Sequence, residues 1–382
     1  MKIQNVLMAL ALLSSCARAP LKGPEGAMRK MSSPPKLVDS LSKESFFHGL
    51  KKHIEGIKSS TLVRDPMLFG PKKMAKANYV AAIEKIFQHE NDWLQYIAGH
   101  FDFYEVYGKD SWGDIMATGY YEPRIKGSRS ASPQFPQPIY ARPNDLVTID
   151  YKAFGLKAIS QQGRIFNNVI GPYFSRKDID EDLKLQGRNL EIAYLDSVDA
   201  FFLQTQGSGY IEFENGEVLH VGFDSQNGLN YVPIGKFLTD SIPFEQMSLQ
   251  KIKEHLKKLP RKEKQDLLNK NPSYVFFKKI ESAGITYAGM EVSAGRTIAT
   301  DKELFPKGAL AFLEIDEPQF SSLTAQDVSS WVRKSRLVFD QDTGGAIKGG
   351  GRIDLYIGIG DEAAQKAGVM RDPGRLYYLV PR

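Results

Sequence analysis

The stretch DTGGAIKGGGRIDLY, residues 342–356, constrains the fold more than any other part of the chain. Five glycines lie between two carboxylates, Asp342 and Asp354. Without a Cβ, glycine lets backbone come close to other backbone or to a ligand. The flanks, Arg336–Phe339 and Ile353–Ile357, alternate or are β-branched, which is the pattern of strands. The stretch therefore predicts two strands joined by an open glycine loop, with an acid at the edge of each strand. Acids so placed can present a proton to a bulky substrate. The same residues also make an ordinary turn in which Asp accepts from local backbone N–H groups. The residues by themselves leave both readings open.

The amino terminus bears on location. Lys2 is followed by an unbroken apolar run, Val6–Leu13, and then by Leu13-Ser14-Ser15-Cys16. Residues 1–15 read as a signal peptide, too short to span a bilayer. Leu-Ser-Ser-Cys also matches the pattern at which bacterial lipoproteins are lipidated on Cys and cleaved just before it. Cys16 is the single cysteine, so an internal disulfide and a cysteine metal site are excluded. The alternative is an ordinary secreted protein with a Cys near its cleavage site. Acyl chains on Cys16 would give a stable anchor. Residues 16–36, with scattered proline, glycine, Lys and Arg, read as a flexible tether.

A chain of 382 residues suits two domains, or one with a large insert. The net charge of +5 is compatible with an anionic partner such as peptidoglycan, lipid headgroups or nucleic acid, but simple solubility accounts for it better than any one of these. Basic residues interleaved with aromatics, the mark of a nucleic-acid surface, are missing. Residues 37–123 read as the mainly helical N-terminal part of a main domain. Phe46, Leu50, Ile54 and Ile57 form one apolar helix face, and Val80, Ile83, Phe87 and Leu94 mark a second helix over about 78–98. Thr118–Pro123 reads as a strand entering an aromatic turn. Residues 124–235 read as an inserted β-domain, with strands at Ile139-Tyr140, Leu146–Ile149, Val198–Leu203 and Tyr210–Phe213. Asn215-Gly216 predicts a hairpin onto Val218–Val221. Residues 236–382 return to the main domain, first as helix up to Asn271-Pro272, then as strands with one short helix near Asp361–Ala367.

Several motifs fail on their spacing. Gly358-Ile-Gly360-Asp-Glu-Ala363 fits a dinucleotide-binding turn, but 19 residues after it cannot complete such a fold. Asp178–Asp182 lacks the glycine of a calcium loop, and Ser175 with Asp178 reads better as a helix start. The six histidines contain no H-x-x-x-H pair, and His48 and His53 read as surface residues of the first helix. No metal or cofactor is therefore expected. Asp342-Thr343-Gly344 matches the triplet of an aspartic protease, which needs two copies to share a proton; a homodimer would have to supply the second.

Seven ordered blocks carry a family resemblance. They are TGYYEP (118–123), PIYARP (138–143), DAFFLQTQGSG (199–209), NPSYVFF (271–277), GRTIATD (295–301), the glycine block through Gly360, and GRLYYLVP (374–381). Together with the lipoprotein signal, they resemble the membrane-bound lytic murein transglycosylase A family, whose C-terminal module is named for three aspartates. Here these would be Asp301, Asp342 and Asp354. The resemblance implies a mainly β fold with helical segments: a double-psi β-barrel plus a smaller inserted β-barrel, with the substrate groove between them. It implies cleavage of the β-1,4 bond between N-acetylmuramic acid and N-acetylglucosamine in peptidoglycan, with the muramic C6 hydroxyl attacking C1 to leave a 1,6-anhydro end. The family's acid maps onto Asp354, leaving Asp342 in support and Asp301 either catalytic or capping the turn into Lys302–Phe305. Thr118, Gly119, Tyr120, Tyr121, Gln204, Gln206 and Ser208 are candidates to hold the glycan. The expected protein is a monomer on the periplasmic face of the outer membrane, since Ala17 and Arg18 rather than Asp follow Cys16. Its expected partners are glycan strands, the membrane through Cys16, and cell-wall synthesis proteins. The competing classes are a lipid-anchored aspartic protease working through Asp342 and a non-catalytic peptidoglycan-binding lipoprotein.

Overall fold

The structure, a computed structural model, describes residues 21, 23–108, 111–156, 160–243, 247–281, 286–325, 327–345 and 347–382. Cys16 and the signal segment lie outside the described residues. The chain opens with β1 (Met28–Lys30), α1 (Lys43–Ser59), β2 (Met67–Phe69), β3 (Lys72–Met74), α2 (Lys76–Glu84), α3 (Trp93–His100), β4 (Phe101–Val106) and β5 (Asp114–Glu122). Next come β6 (Arg124–Gly127), β7 (Gln137–Tyr140), β8 (Val147–Ile149), β9 (Gln161–Phe166), β10 (Val169–Gly171), α4 (Arg176–Asp180), β11 (Glu191–Leu195), α5 (Ser197–Gln206), β12 (Ser208–Phe213), β13 (Val218–Gln226), α6 (Leu249–Lys258), α7 (Arg261–Leu268) and β14 (Val275–Lys279). The last part comprises β15 (Thr297–Ala299), β16 (Ala309–Gln319), β17 (Ser330–Asp342), β18 (Arg352–Ile359), α8 (Gly360–Ala367) and β19 (Arg371–Pro381).

Six strands close into a barrel in the order β19-β16-β17-β15-β18-β5, with β5 returning to pair with β19. The pairs β15–β17 and β18–β5 are parallel, the others antiparallel. Ala309–Leu313 in β16 and Leu376–Val380 in β19 are buried without alternation. A strand buried on both faces reads as a continuous apolar run. The outer cover comes from the helices. The α1 face Phe46, Leu50, Ile54 and Ile57 is buried, and the Phe46 ring stacks on Trp93 at 4.5 Å and on Phe339 at 5.9 Å. Arg296, wholly buried, ties α1 to the barrel: it donates to Asp39 (2.9 Å), Ser45 Oγ (2.9 Å), the Ser42 carbonyl (3.0 Å) and the Leu337 carbonyl (2.8 Å).

A second ring is built from β14-β13-β12-β6 and the ribbon β11-β7. Single bridges, Ser128 to Tyr194 and Ala141 to Phe277, join the two pieces at both edges. Ile125, Ile139, Leu195, Ile211, Phe213, Val221 and Phe277 fill the interior. Chain order and closure agree with the expected barrel and inserted barrel.

Four local expectations are corrected. Val198–Leu203 is helix, not strand: Asp196 caps α5 by accepting from Val198 N at 2.9 Å, and Gly207, left-handed at φ 85°, ends it. The return to the main domain at residue 236 comes too early, because α6 and α7 pack on α5 through Leu256 and Leu268, and β14 pairs with β13. The expected tether contains β1, which pairs with β4. His53 is wholly buried, bonded to the Gly308 carbonyl at 3.1 Å and to Gln341 at 3.0 Å; burial lowers its pKa to about 3, so it is neutral.

Candidate active site

The shortest barrel strand assembles the acids. β15 lies between β17 and β18, and Ala299 has Asp342 as its parallel partner and Asp354 as its antiparallel partner. Two carboxylates at either end of the glycine block thus flank one alanine. The block must turn sharply to allow this. A Cβ on Gly350 would lie 2.3 Å from the Tyr107 carbonyl oxygen, so the loop packs against backbone there and tolerates no side chain.

The two acids have opposite surroundings. Asp342 Oδ1 accepts from the N–H of Tyr287 and of Thr343, each at 2.9 Å, and Oδ2 accepts from the Tyr120 hydroxyl at 3.0 Å. Burial raises its pKa, and these three donors and the charge of Lys307 offset that rise only in part. Lys307 is itself buried beneath the site, where it donates to Asp340 Oδ1 at 2.7 Å and to Thr300 Oγ1 at 2.6 Å. Asp354 has far less support. Its Oδ1 is buried and without a hydrogen-bond partner. Burial pushes the Asp354 carboxyl up to about 7, with the charge of Asp342 adding to the effect against a Thr118 hydrogen bond and the charge of Arg352. A buried orphan acceptor is uncommon in native proteins and costs stability. A carboxyl that keeps its proton near neutral pH, with one oxygen unclaimed, is equipped to donate it.

The third aspartate has a different position. Asp301 accepts from Glu303 N at 3.1 Å and from Gly349 N at 2.9 Å. It closes the turn that follows β15 and fastens that turn to the glycine loop. Both oxygens are engaged with backbone, which is the capping arrangement rather than that of a proton carrier.

Of the seven candidate glycan ligands, only some are near the acids. Thr118 is the register partner of Asp354 and donates to the Ile353 carbonyl at 3.3 Å. Tyr120 lies on the same strand, bonded to Asp342, with its ring 5.2 Å from that of Tyr356. Gly119 and Tyr121 face the other way, into packing: a Cβ on Gly119 would sit 2.9 Å from Ala367 Cα, and Tyr121 is buried against Ala363 and Ala367. Gln204 is buried under the second ring, where its Oε1 accepts from Arg176 at 2.6 Å. Gln206 is half-buried and accepts weakly from Tyr121 N at 3.4 Å. Ser208 hydrogen-bonds Glu122.

Glu122 itself was not singled out in the sequence, although it lies in the TGYYEP block. It is buried where β5 leaves the barrel for the second ring. Its Oε1 meets His220 Nε2 of β13 at 2.9 Å, and its Oε2 accepts from the Tyr356 hydroxyl of β18 at 2.8 Å. Burial alone would raise its pKa, but the hydrogen bonds from His220, Tyr356 and Ser208 outweigh that and lower it. One carboxylate thus couples the two rings, and its partner Tyr356 is two residues along β18 from Asp354. His220 is 98 residues away in sequence, so local pattern carried no sign of the pair. Among the described residues, no group of three His, Cys, Asp or Glu side chains is placed to hold a metal ion.

Comparison with known proteins agrees with this architecture. Residues 116–278 match the family model of the MltA specific insert domain, and residues 296–380 match that of the 3D domain. The chain is 28% identical over 381 residues to membrane-bound lytic murein transglycosylase A of Escherichia coli K12, covering 97% of this chain and 93% of that protein. A crystal structure of a membrane-bound lytic murein transglycosylase from Agrobacterium tumefaciens superposes with a TM-score of 0.75 at 26% identity, over 93% of this chain and 98% of the other. The E. coli MltA structure with bound chitohexaose gives a TM-score of 0.68 at 25% identity, over 95% and 96%. The two matched regions meet at the acids, since Thr118 belongs to the first and Asp354 to the second. In both matched domains and along nearly its whole length, the chain is similar to the membrane-bound lytic murein transglycosylase A family.

Proposed function

We propose that this lytic transglycosylase cleaves the bond between N-acetylmuramic acid and N-acetylglucosamine in peptidoglycan with Asp354 as its acid and base. The observation that carries the assignment is the buried, unpartnered Oδ1 of Asp354 on a carboxyl whose pKa lies at about 7. Protonated Asp354 donates to the glycosidic oxygen as the bond to muramic C1 breaks. The muramic C6 hydroxyl attacks C1 and gives its proton to the Asp354 carboxylate. The acid is restored, a 1,6-anhydro ring is closed, and water takes no part. An internal nucleophile has a large effective molarity, so a second catalytic carboxyl is not needed. Asp342 is poorly placed to be a nucleophile because both of its oxygens are engaged. Its negative charge instead supports the positive character that develops at C1. The protease reading of Asp342-Thr343-Gly344 fails on the same contacts: Tyr120 and the backbone of Tyr287 occupy the carboxylate that a second triplet would have to share.

The glycan runs past Thr118 and Tyr120, along the junction that Glu122 braces. Chitohexaose on the E. coli relative supports a sugar chain as ligand. The relatives' membrane-bound character supports attachment of this chain to a membrane, which we assign to lipid on Cys16 at the periplasmic face of the outer membrane. Mass spectrometry of digested peptidoglycan tests the reaction. Anhydromuramic ends, one water lighter than hydrolysis products, are expected. Reducing muramic ends alone would mean a hydrolase and would require another carboxylate.

A further inference from the structure

The hairpin of β9 and β10 leaves its apolar residues in water. Ile165, Phe166, Val169 and Ile170 are 63%, 42%, 57% and 50% exposed. Single exposed apolar residues are ordinary, but four at one hairpin tip are not. The tip is held by Asn167 and Asn168, both left-handed at φ 47° and 61°, as a two-residue hairpin turn of this hand requires. Its third strand stops short: β8 pairs with β9 only from Gln161 to Gly163, so residues 164–171 extend beyond it as a two-stranded ribbon.

The register decides what can cover such a tip. Ile165 is opposite Ile170, and Phe166 is opposite Val169. Cross-strand partners share a face and successive residues alternate. The ribbon is therefore apolar on both faces. A protein partner docked on one face would leave the other wet, whereas immersion covers both. Charge points the same way. From Tyr151 to Phe174 the chain carries Lys152, Lys157 and Arg164 and no Asp or Glu. The Arg164 guanidinium lies behind the tip, over the rings of Phe166 (4.9 Å) and Phe174 (4.0 Å). The hollow it borders also contains Lys184 and one acid, Asp178, whose Oδ2 is occupied by the N–H (2.7 Å) and hydroxyl (2.6 Å) of Ser175.

We propose that the 164–171 ribbon is an interfacial anchor that dips its tip into a lipid surface bearing anionic headgroups, with Arg164 at headgroup level. Apolar side chains buried at the headgroup–acyl boundary, backed by cations, are the chemistry of such contacts, and a second attachment converts marginal binding into stable binding. The anchor does not depend on the reading of the active site. It would tether the second ring to the bilayer at a point distinct from the amino terminus.

The full chain with Cys16→Ser has no other thiol, so Ile165→Cys gives one site for a polarity-sensitive fluorophore. Vesicles of phosphatidylethanolamine and phosphatidylglycerol should brighten the probe and shift its emission to the blue, and a quencher attached to the acyl chains should dim it. A probe at Val218→Cys, exposed on β13, should not respond. Adding Phe166→Asp and Val169→Asp beside the probe should abolish the shift while far-UV circular dichroism stays unchanged. An unresponsive probe at residue 165 on well-bound vesicles would overturn the proposal. So would a sedimentation dimer that Ile165→Ser with Ile170→Ser dissolves, since the tip would then serve a second copy of the chain.

Discussion

Asp354 keeps a proton in the folded protein that the unfolded chain gives up near pH 4. Its folded pKa, about 7, is above the ordinary carboxyl value because burial disfavours the charge. Between those two values the native state binds more protons than the unfolded state, so stability falls as pH rises across that window and levels off above about pH 7. Asp354→Asn has no proton to lose. It should gain stability relative to the parent between pH 4 and pH 8, by up to about 4 kcal/mol for a shift of this size. Urea midpoints at the two pH values measure the gain; a constant difference would mean that Asp354 ionises normally. The activity of the parent should decline above about pH 7, as the acid loses its proton. The sequence placed the acids but could not rank them. Their difference comes from Tyr120 and the backbone of Tyr287, which reach Asp342 from distant parts of the chain, while Asp354 has Thr118 and an Oδ1 without a partner.

At the scale of elements, the site rests on β5, β18 and the helix that packs across them. Gly119 lets α8 lie directly on β5, and Gly119→Ala would force its Cβ to within 2.9 Å of Ala367 Cα. Overpacking of that kind costs about 1–3 kcal/mol. It should also move Thr118 and Tyr120, so both the denaturation midpoint and turnover should fall; an unchanged midpoint would show that the helix is free to shift. The sequence signals for individual elements were stronger than the reading of them. Asp196 and Gly207 mark both ends of α5, yet the aromatic run between them reads as a strand when its caps are ignored. His53 falls between Leu50 and Ile57 on the apolar face of α1, so its burial was implied by the same periodicity that located the helix. The membership of β14 was not legible at all. Its pairing to β13 is long-range, and a short apolar strand carries no sign of which sheet it will join.

For the whole molecule, attachment and access to substrate are linked. On the proposed reading the glycan path lies between the two rings that Glu122 couples, while the amino terminus and the 164–171 ribbon would be separate attachments to a membrane. No helix among the described residues is long and apolar enough to cross a bilayer. Cys16→Ser should therefore move the protein from the membrane fraction toward the soluble periplasm, completely if lipid is the sole attachment and partially if the ribbon contributes. Equal partitioning of parent and variant would remove Cys16 from the account. The most direct test of the central claim is turnover of the folded Asp354→Asn and Asp342→Asn variants on the same purified peptidoglycan. General acid catalysis is worth about 10²–10⁴-fold. Asp354→Asn should lose activity at or beyond the top of that range while still binding intact glycan, and Asp342→Asn should lose less. An active Asp354→Asn beside an inactive Asp342→Asn would contradict the assignment.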